Sequence, residues 1–126
     1  MTHSIKWFKN ERKKSKYHNK ATATGGIIYH SKFESKVAQD LEFRKRAGDI
    51  KDWKRQVRLD LRAYGKHICN YFMDFIVEHN DGTFEMIEVK GYIVETWRIK
   101  FSLLEAMVDA GEYKEEYPGL KLTVLK

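Results

Sequence analysis

Hydrophobic positions along this chain change their spacing several times, and each change predicts an element. Ile27-Ile28-Tyr29 follows the Gly25-Gly26 pair and reads as a short strand or an extended lead-in. Ser31-Lys32-Phe33-Glu34 has the S-x-x-E form of a capping box, which predicts a helix starting there. Phe33, Val37, Ala38, Leu41 and Phe43 partly follow helical spacing, and Gly48 is placed to end the helix. Trp53 to Leu61 then alternates, with Val57, Leu59 and Leu61 on one side and Gln56, Arg58 and Asp60 on the other, as in a strand with one polar face. Ile68 to Val77 and Phe84 to Val89 predict two more strands, joined by the hairpin signal Asn80-Asp81-Gly82. Thr96 is placed to cap a helix running to about Ala110, with an apolar stripe at Trp97, Phe101, Leu104 and Val108 and Gly111 at its end. Pro118-Gly119 turns the chain into a last strand, Leu120 to Leu125. The order helix, three strands, helix, strand predicts an α/β domain with helices around one mixed sheet.

Composition bounds this picture. The 126 residues suit one domain, and 42% hydrophobic with 13% aromatic residues supply a core. Apolar runs are too short for a spanning helix, and the basic N-terminus has no apolar signal region. A lone cysteine, Cys69, fits a reducing compartment and a packed strand position. The expectation is a soluble intracellular protein without a membrane partner.

Charge is unevenly placed. The chain has 24 Lys and Arg and 18 Asp and Glu, of which residues 1–20 hold seven basic groups and Glu11 alone among the acids. The other 106 residues carry 17 of each sign, so the excess lies in the arm of residues 1–25. Lys6, Lys9, Arg12, Lys13, Lys14, Lys16 and Lys20, interleaved with Trp7, Phe8 and Tyr17, suit nucleic-acid phosphates and bases, or form a solvated tail. Arg44 to Arg62 is a second basic stretch, in which Arg55 and Arg58 are candidate DNA contacts. From His67 to Lys90 the sign reverses, with Asp74, Glu78, Asp81, Glu85 and Glu88 against Lys90.

The candidate chemistry lies on the hairpin. A three-residue loop at Asn80-Asp81-Gly82 pairs His79 with Thr83, makes paired positions sum to 162, and sets Asp74 opposite Glu88. Opposed side chains on a ladder are about 4.5–5.5 Å apart at Cβ, where two carboxylates repel. A divalent cation between them removes that penalty, and hard oxygen ligands suit Mg²⁺, with Mn²⁺ able to substitute. Lys90 shares a face with Glu88 and can orient water or steady charge on a phosphate. An acidic hairpin pointing its carboxylates at water would carry the same residues, and another loop length would offset them.

Asp74 followed by Glu88-Val89-Lys90 resembles the D…(D/E)-x-K signature of the PD-(D/E)XK nuclease superfamily. Ser31-Lys32-Phe33-Glu34, Ala47-Gly48-Asp49-Ile50, Gln56, Asp74-Phe75, Glu88-Val89-Lys90-Gly91, Thr96 and Lys100 together resemble its small phage-type members, described as Holliday junction resolvase-like. The similarity spans about Ile27 to Lys100 and the last strand, and Met73 stands where a Pro often precedes the Asp.

The resemblance implies a restriction-endonuclease-like domain over residues 26–126 with an αβββαβ core. It implies that Asp74, Glu88 and the Val89 carbonyl bind the metal, and that Lys90 positions or activates the attacking water. Glu34 would bind a second metal or its water shell, in competition with its capping-box role. Gln56 would contact the scissile phosphate or a bound water, and Lys100 the DNA backbone. The implied activity is Mg²⁺-dependent cleavage of four-way DNA junctions by a homodimer, leaving 5′-phosphates, in the cytoplasm of a phage's bacterial host. The aromatic stripe of the last helix, with Trp53 and the strand edges, offers candidate dimer surface. A nuclease for other branched, nicked or duplex DNA fits the same residues, and the sequence does not separate it from a resolvase. A noncatalytic nucleic-acid-binding module leaves the Asp74, Glu88 and Lys90 arrangement without a purpose.

Overall fold

A computed structural model describes residues 26–126, with side chains from residue 32 onward. The basic arm, including Lys6, Lys9, Arg12, Lys13, Lys14, Lys16 and Lys20, lies outside the described residues. Helix α1 spans Gly26–Arg46, β1 Asp52–Ala63, β2 Lys66–Glu78, β3 Phe84–Val89, α2 Glu95–Asp109 and β4 Lys121–Leu125. The four strands form one mixed sheet in the order β1-β2-β3-β4, antiparallel except for the parallel β3/β4 pair that α2 connects. This is the expected α/β domain. None of the described helices is long and apolar enough to cross a membrane.

Each face of the sheet carries one helix. On the first, Val37 and Leu41 of α1 pack with Ile50, Phe75, Val77, Ile87 and Val89. On the second, Phe101, Leu104 and Met107 of α2 pack with Leu59, Leu61, Tyr71, Met73, Ile76 and Met86. Leu41 and Leu104 are almost wholly removed from water, which stabilises the fold by about 2 kcal/mol each. Phe43 does not join them and is 71% exposed. The stripe of α2 is covered by the sheet, so the expected dimer surface there is already used by the core.

Both helices stop as their glycines predict. Gly48 has φ +82°, its N–H donates to the Lys45 carbonyl at 3.1 Å, and the Asp49 N–H donates to Arg44 at 2.9 Å. Gly111 at φ +80° repeats the pattern, with Gly111 donating to Val108 and Glu112 to Met107, both at 3.0 Å. These paired bonds satisfy the carbonyls that a helix end leaves open.

The helix starts differ from expectation. Ile27-Ile28-Tyr29 is helical, so Ser31 lies inside α1 and does not stand at its N-cap. Extending an existing helix adds one hydrogen bond per residue fixed, and Ile and Tyr lower propensity only slightly. Thr96 likewise is the second residue of α2. The helix begins from the Val94 carbonyl, which accepts from the Arg98 N–H at 3.1 Å, and Val94 makes no side-chain cap.

The sheet also changes sides partway along. Strict alternation would put Tyr71, Met73, Phe75 and Val77 on one face. Instead Tyr71 and Met73 pack with α2, while Phe75 and Val77 pack with α1. On β1, Trp53 belongs to the α1 side and Val57, Leu59 and Leu61 to the α2 side. The switch falls at Gln56 and Asp74, which the register sets opposite each other between Arg55↔Phe75 and Val57↔Met73. Gln56 accommodates it with φ +52°, a left-handed conformation that side chains other than Gly, Asn and Asp seldom adopt.

Candidate functional site

The β2/β3 hairpin closes as the sequence predicts. Gly82 is left-handed at φ +86°, His79 donates to the Thr83 carbonyl at 2.8 Å, and the pairs run from Glu78↔Phe84 to Phe75↔Ile87. Continuing that register by one residue brings Asp74 opposite Glu88. There the strands part. The Val89 N–H donates to Asp74 Oδ2 at 2.8 Å, so a carboxylate takes a donor that a continuing ladder would give to backbone. Gln56 Nε2 donates to the other oxygen of Asp74 at 3.4 Å. On its far side β3 is gripped by β4 through Glu88↔Val124 and Val89↔Leu125, and the Lys90 N–H donates to Leu125 at 2.8 Å.

In the fork lies a cleft of about 220 Å³, lined by Asn70 to Phe72 of β2, Glu88 and Lys90, and Thr96, Trp97 and Lys100 of α2. Of the two sheet carboxylates, Glu88 at 4% exposure lines it, and Asp74 at 7% lies one register step away on β2. Glu88 Oε2 lies 3.1 Å from Lys90 Nζ, whereas Oε1 is buried with no hydrogen-bond partner. Burial pushes the Glu88 carboxyl above its ordinary range. Lys90 and the Tyr71 hydroxyl pull it back, and the charge of Glu34 adds to the rise.

Two residues outside the candidate set, Trp97 of the apolar stripe and Tyr71 of β2, support this centre. Trp97 lies beneath Lys90, with Nζ 4.8 Å from the ring centroid, a cation–π contact that steadies the ammonium. Its Nε1 donates to the Tyr71 hydroxyl at 2.7 Å, and its ring stacks on Phe101 at 4.9 Å. Burial, and then the neighbouring Glu88 charge, raises the Tyr71 hydroxyl's pKa and holds it protonated. One aromatic thus positions both groups that pull the Glu88 pKa back down. Nothing in the spacing of Tyr71 or Trp97 distinguishes such a role from core packing.

The remaining candidates are spread around the fork. Glu34, from α1, pairs with Arg55 NH2 at 3.5 Å and is near enough to act electrostatically on Glu88. Arg55 also lies over the Phe75 ring, 5.4 Å from its centroid, and Arg58 donates to Asn70 Oδ1 at 3.4 Å. Lys100 is brought into the cleft itself. Among the described residues no three His, Cys, Asp or Glu side chains gather closely enough to hold a metal by themselves. Asp74 and Glu88 share a register position as two carboxylates, and any coordination by them would need backbone oxygen or water to complete it.

Fold and site together define a small α/β domain with a buried acidic pair and a lysine at the fork of a splayed hairpin. The chain belongs to the family described as "Protein of unknown function (DUF1064)", which it matches over residues 14–126. No curated protein and no solved structure matches it.

Proposed function

We propose that this protein is a metal-dependent DNA endonuclease that cuts four-way junctions as a homodimer, in the cytoplasm of a phage's bacterial host. The observation that carries the reading is Glu88 Oε1, a buried carboxylate oxygen without a partner, one register step from Asp74. Leaving such a group unsatisfied costs about 1–3 kcal/mol or more, so its persistence needs a reason beyond folding. A hard divalent cation is a fitting partner, and the donors available are the Asp74 and Glu88 oxygens with the Val89 carbonyl, extended by Glu34 through water. Bound there, Mg²⁺ or Mn²⁺ would set positive charge against phosphate oxygens and acidify water.

The chain's own groups have separate tasks. Lys90, fixed between Glu88 and Trp97, presents an ammonium to the attacking water and to the charge that develops on phosphate. Gln56 holds Asp74 in place from the opposing strand. Lys100 and Thr96 offer a cation and a hydroxyl to the DNA backbone at the cleft mouth, with Arg55 and Arg58 on the neighbouring strand. A resolvase cuts two strands symmetrically, which calls for a two-fold dimer with paired sites.

The test is cleavage of end-labelled DNA in Mg²⁺ against an EDTA control, comparing a junction, a flap, a nicked duplex and an intact duplex of matched sequence. Paired symmetric cuts near the branch of the junction are expected, and both Asp74→Asn and Glu88→Gln should abolish cutting while DNA affinity persists. Equal cutting of all substrates would move the role to general DNA processing. Tight binding without cutting would make the protein a noncatalytic binding module.

A further inference from the structure

The β1–β2 hairpin is far longer than its neighbours require. β3 pairs with β2 only from Phe75 to Glu78, so the rungs from Val57↔Met73 to Ala63↔Lys66 form a two-stranded arm beyond the four-stranded part. The arm is stiffened from one side by α2, because Leu59, Leu61, Tyr71 and Met73 pack with Phe101, Leu104 and Met107. Its tip is a two-residue turn, Tyr64-Gly65, with φ +52° and +78°, the type I′ geometry.

Tyr64 is the wrong residue for that turn by stability alone. The first position of a type I′ turn favours Asn, Asp or Gly, and a left-handed side chain of another type costs about 1 kcal/mol. Nothing repays this by packing, since Tyr64 is 108% exposed. The surroundings are basic. Arg62 bridges Asp60 and the Gly65 carbonyl, while Lys66 is exposed beside the turn and Arg58 stands further down the arm. The acid on the same strand, Asp60, is engaged by Arg62 and His67.

We infer that Tyr64 is a base-stacking contact at the branch of a DNA substrate, presented by the hairpin arm while the cleft holds a backbone phosphate. The inference rests on the nuclease reading for its substrate. An aromatic ring at a strained, fully open position amid cations matches a partner with both phosphates and unstacked π-faces. Distance fits as well. Lys66 is four residues beyond Asn70 at the cleft, about 13 Å along a strand, or about four base pairs of duplex. Intact duplex keeps its bases stacked, whereas a branch exposes them. Tyr64 therefore contributes preference for branched over continuous DNA.

The experiment measures binding in EDTA, where no cutting occurs, of the full chain and its Tyr64→Asn, Tyr64→Ala and Tyr64→Phe variants. Each is titrated with a four-way junction and with intact duplex. Tyr64→Asn should raise the melting temperature, because Asn suits the turn, yet weaken junction binding about tenfold with duplex binding unchanged. Tyr64→Ala should weaken the junction complex similarly, and Tyr64→Phe should keep wild-type affinity. Unchanged junction affinity in both Asn and Ala variants would overturn the inference and leave the nuclease reading standing on its cleavage assay. Equal losses on junction and duplex would overturn it too, making Tyr64 a general contact. Failure of the wild-type chain to bind either DNA would overturn both readings at once.

Discussion

At Glu88 a carboxylate is held 4% exposed, with Lys90 on one oxygen and no partner on the other. Its pKa is raised in the folded protein, chiefly by burial. An acid shifted that way favours folding below its unfolded pKa and loses the contribution as pH rises through its folded value. Once ionised, the group therefore opposes folding, as expected of a residue kept for binding. Glu88→Gln should raise the melting temperature at pH 7 by about 4 °C, and the gap to wild type should close near pH 4. Mg²⁺ should stabilise the wild type and not the variant, which differential scanning at several pH values would read. A variant less stable than wild type at every pH would mean that the Glu88–Lys90 pair outweighs the burial penalty. Asp74 differs, because it accepts from the buried Val89 N–H. Asn at that position can keep the acceptor where Ala cannot, so Asp74→Asn is the variant that separates chemistry from folding.

Among the elements, turn chemistry was legible and strand irregularity was not. Asn80-Asp81-Gly82 specified both the loop length and the register, because a left-handed third residue requires Gly and the pairing follows from it. Gly48 and Gly111 marked the helix ends for the same reason. The start of α1 was misread at Ser31, because a cap signature inside a helix looks the same as one at its end. The change of face at Gln56 and Asp74 left no trace in the alternation, since no Gly or Asn announces the left-handed residue. That rung is where the candidate site lies, and strained backbone gathers at such places. Gln56→Gly should relieve the strain and stabilise the protein by about 1 kcal/mol, read as a higher urea midpoint. Cleavage should fall at the same time, because Asp74 loses its amide partner. Destabilisation would show that the Gln56 side chain, and not its backbone, holds the two strands in register.

On the scale of the whole molecule, the charge balance would divide the work of the proposed DNA binding. Outside residues 1–20 the chain carries as many acids as bases, so its attraction to phosphate depends on local arrangement, at Lys90 and Lys100 in the cleft and at Arg58, Arg62 and Lys66 along the hairpin. The arm holds seven cations against one anion, and the family match beginning at residue 14 leaves Lys6, Lys9, Arg12 and Lys13 outside the shared region. Such an arm contributes affinity by releasing counterions, which carries no sequence or shape information. Deleting residues 1–20 should therefore weaken binding to junction and duplex alike and flatten the dependence of log affinity on log salt. Each lost phosphate contact lowers that slope by about 0.9, so several arm contacts would remove about 3 or more. The ratio of junction to duplex affinity should survive, because the fold and not the arm would set it. A slope that stays the same would make the arm a bystander, and a collapsed ratio would move branch recognition from the hairpin to the arm.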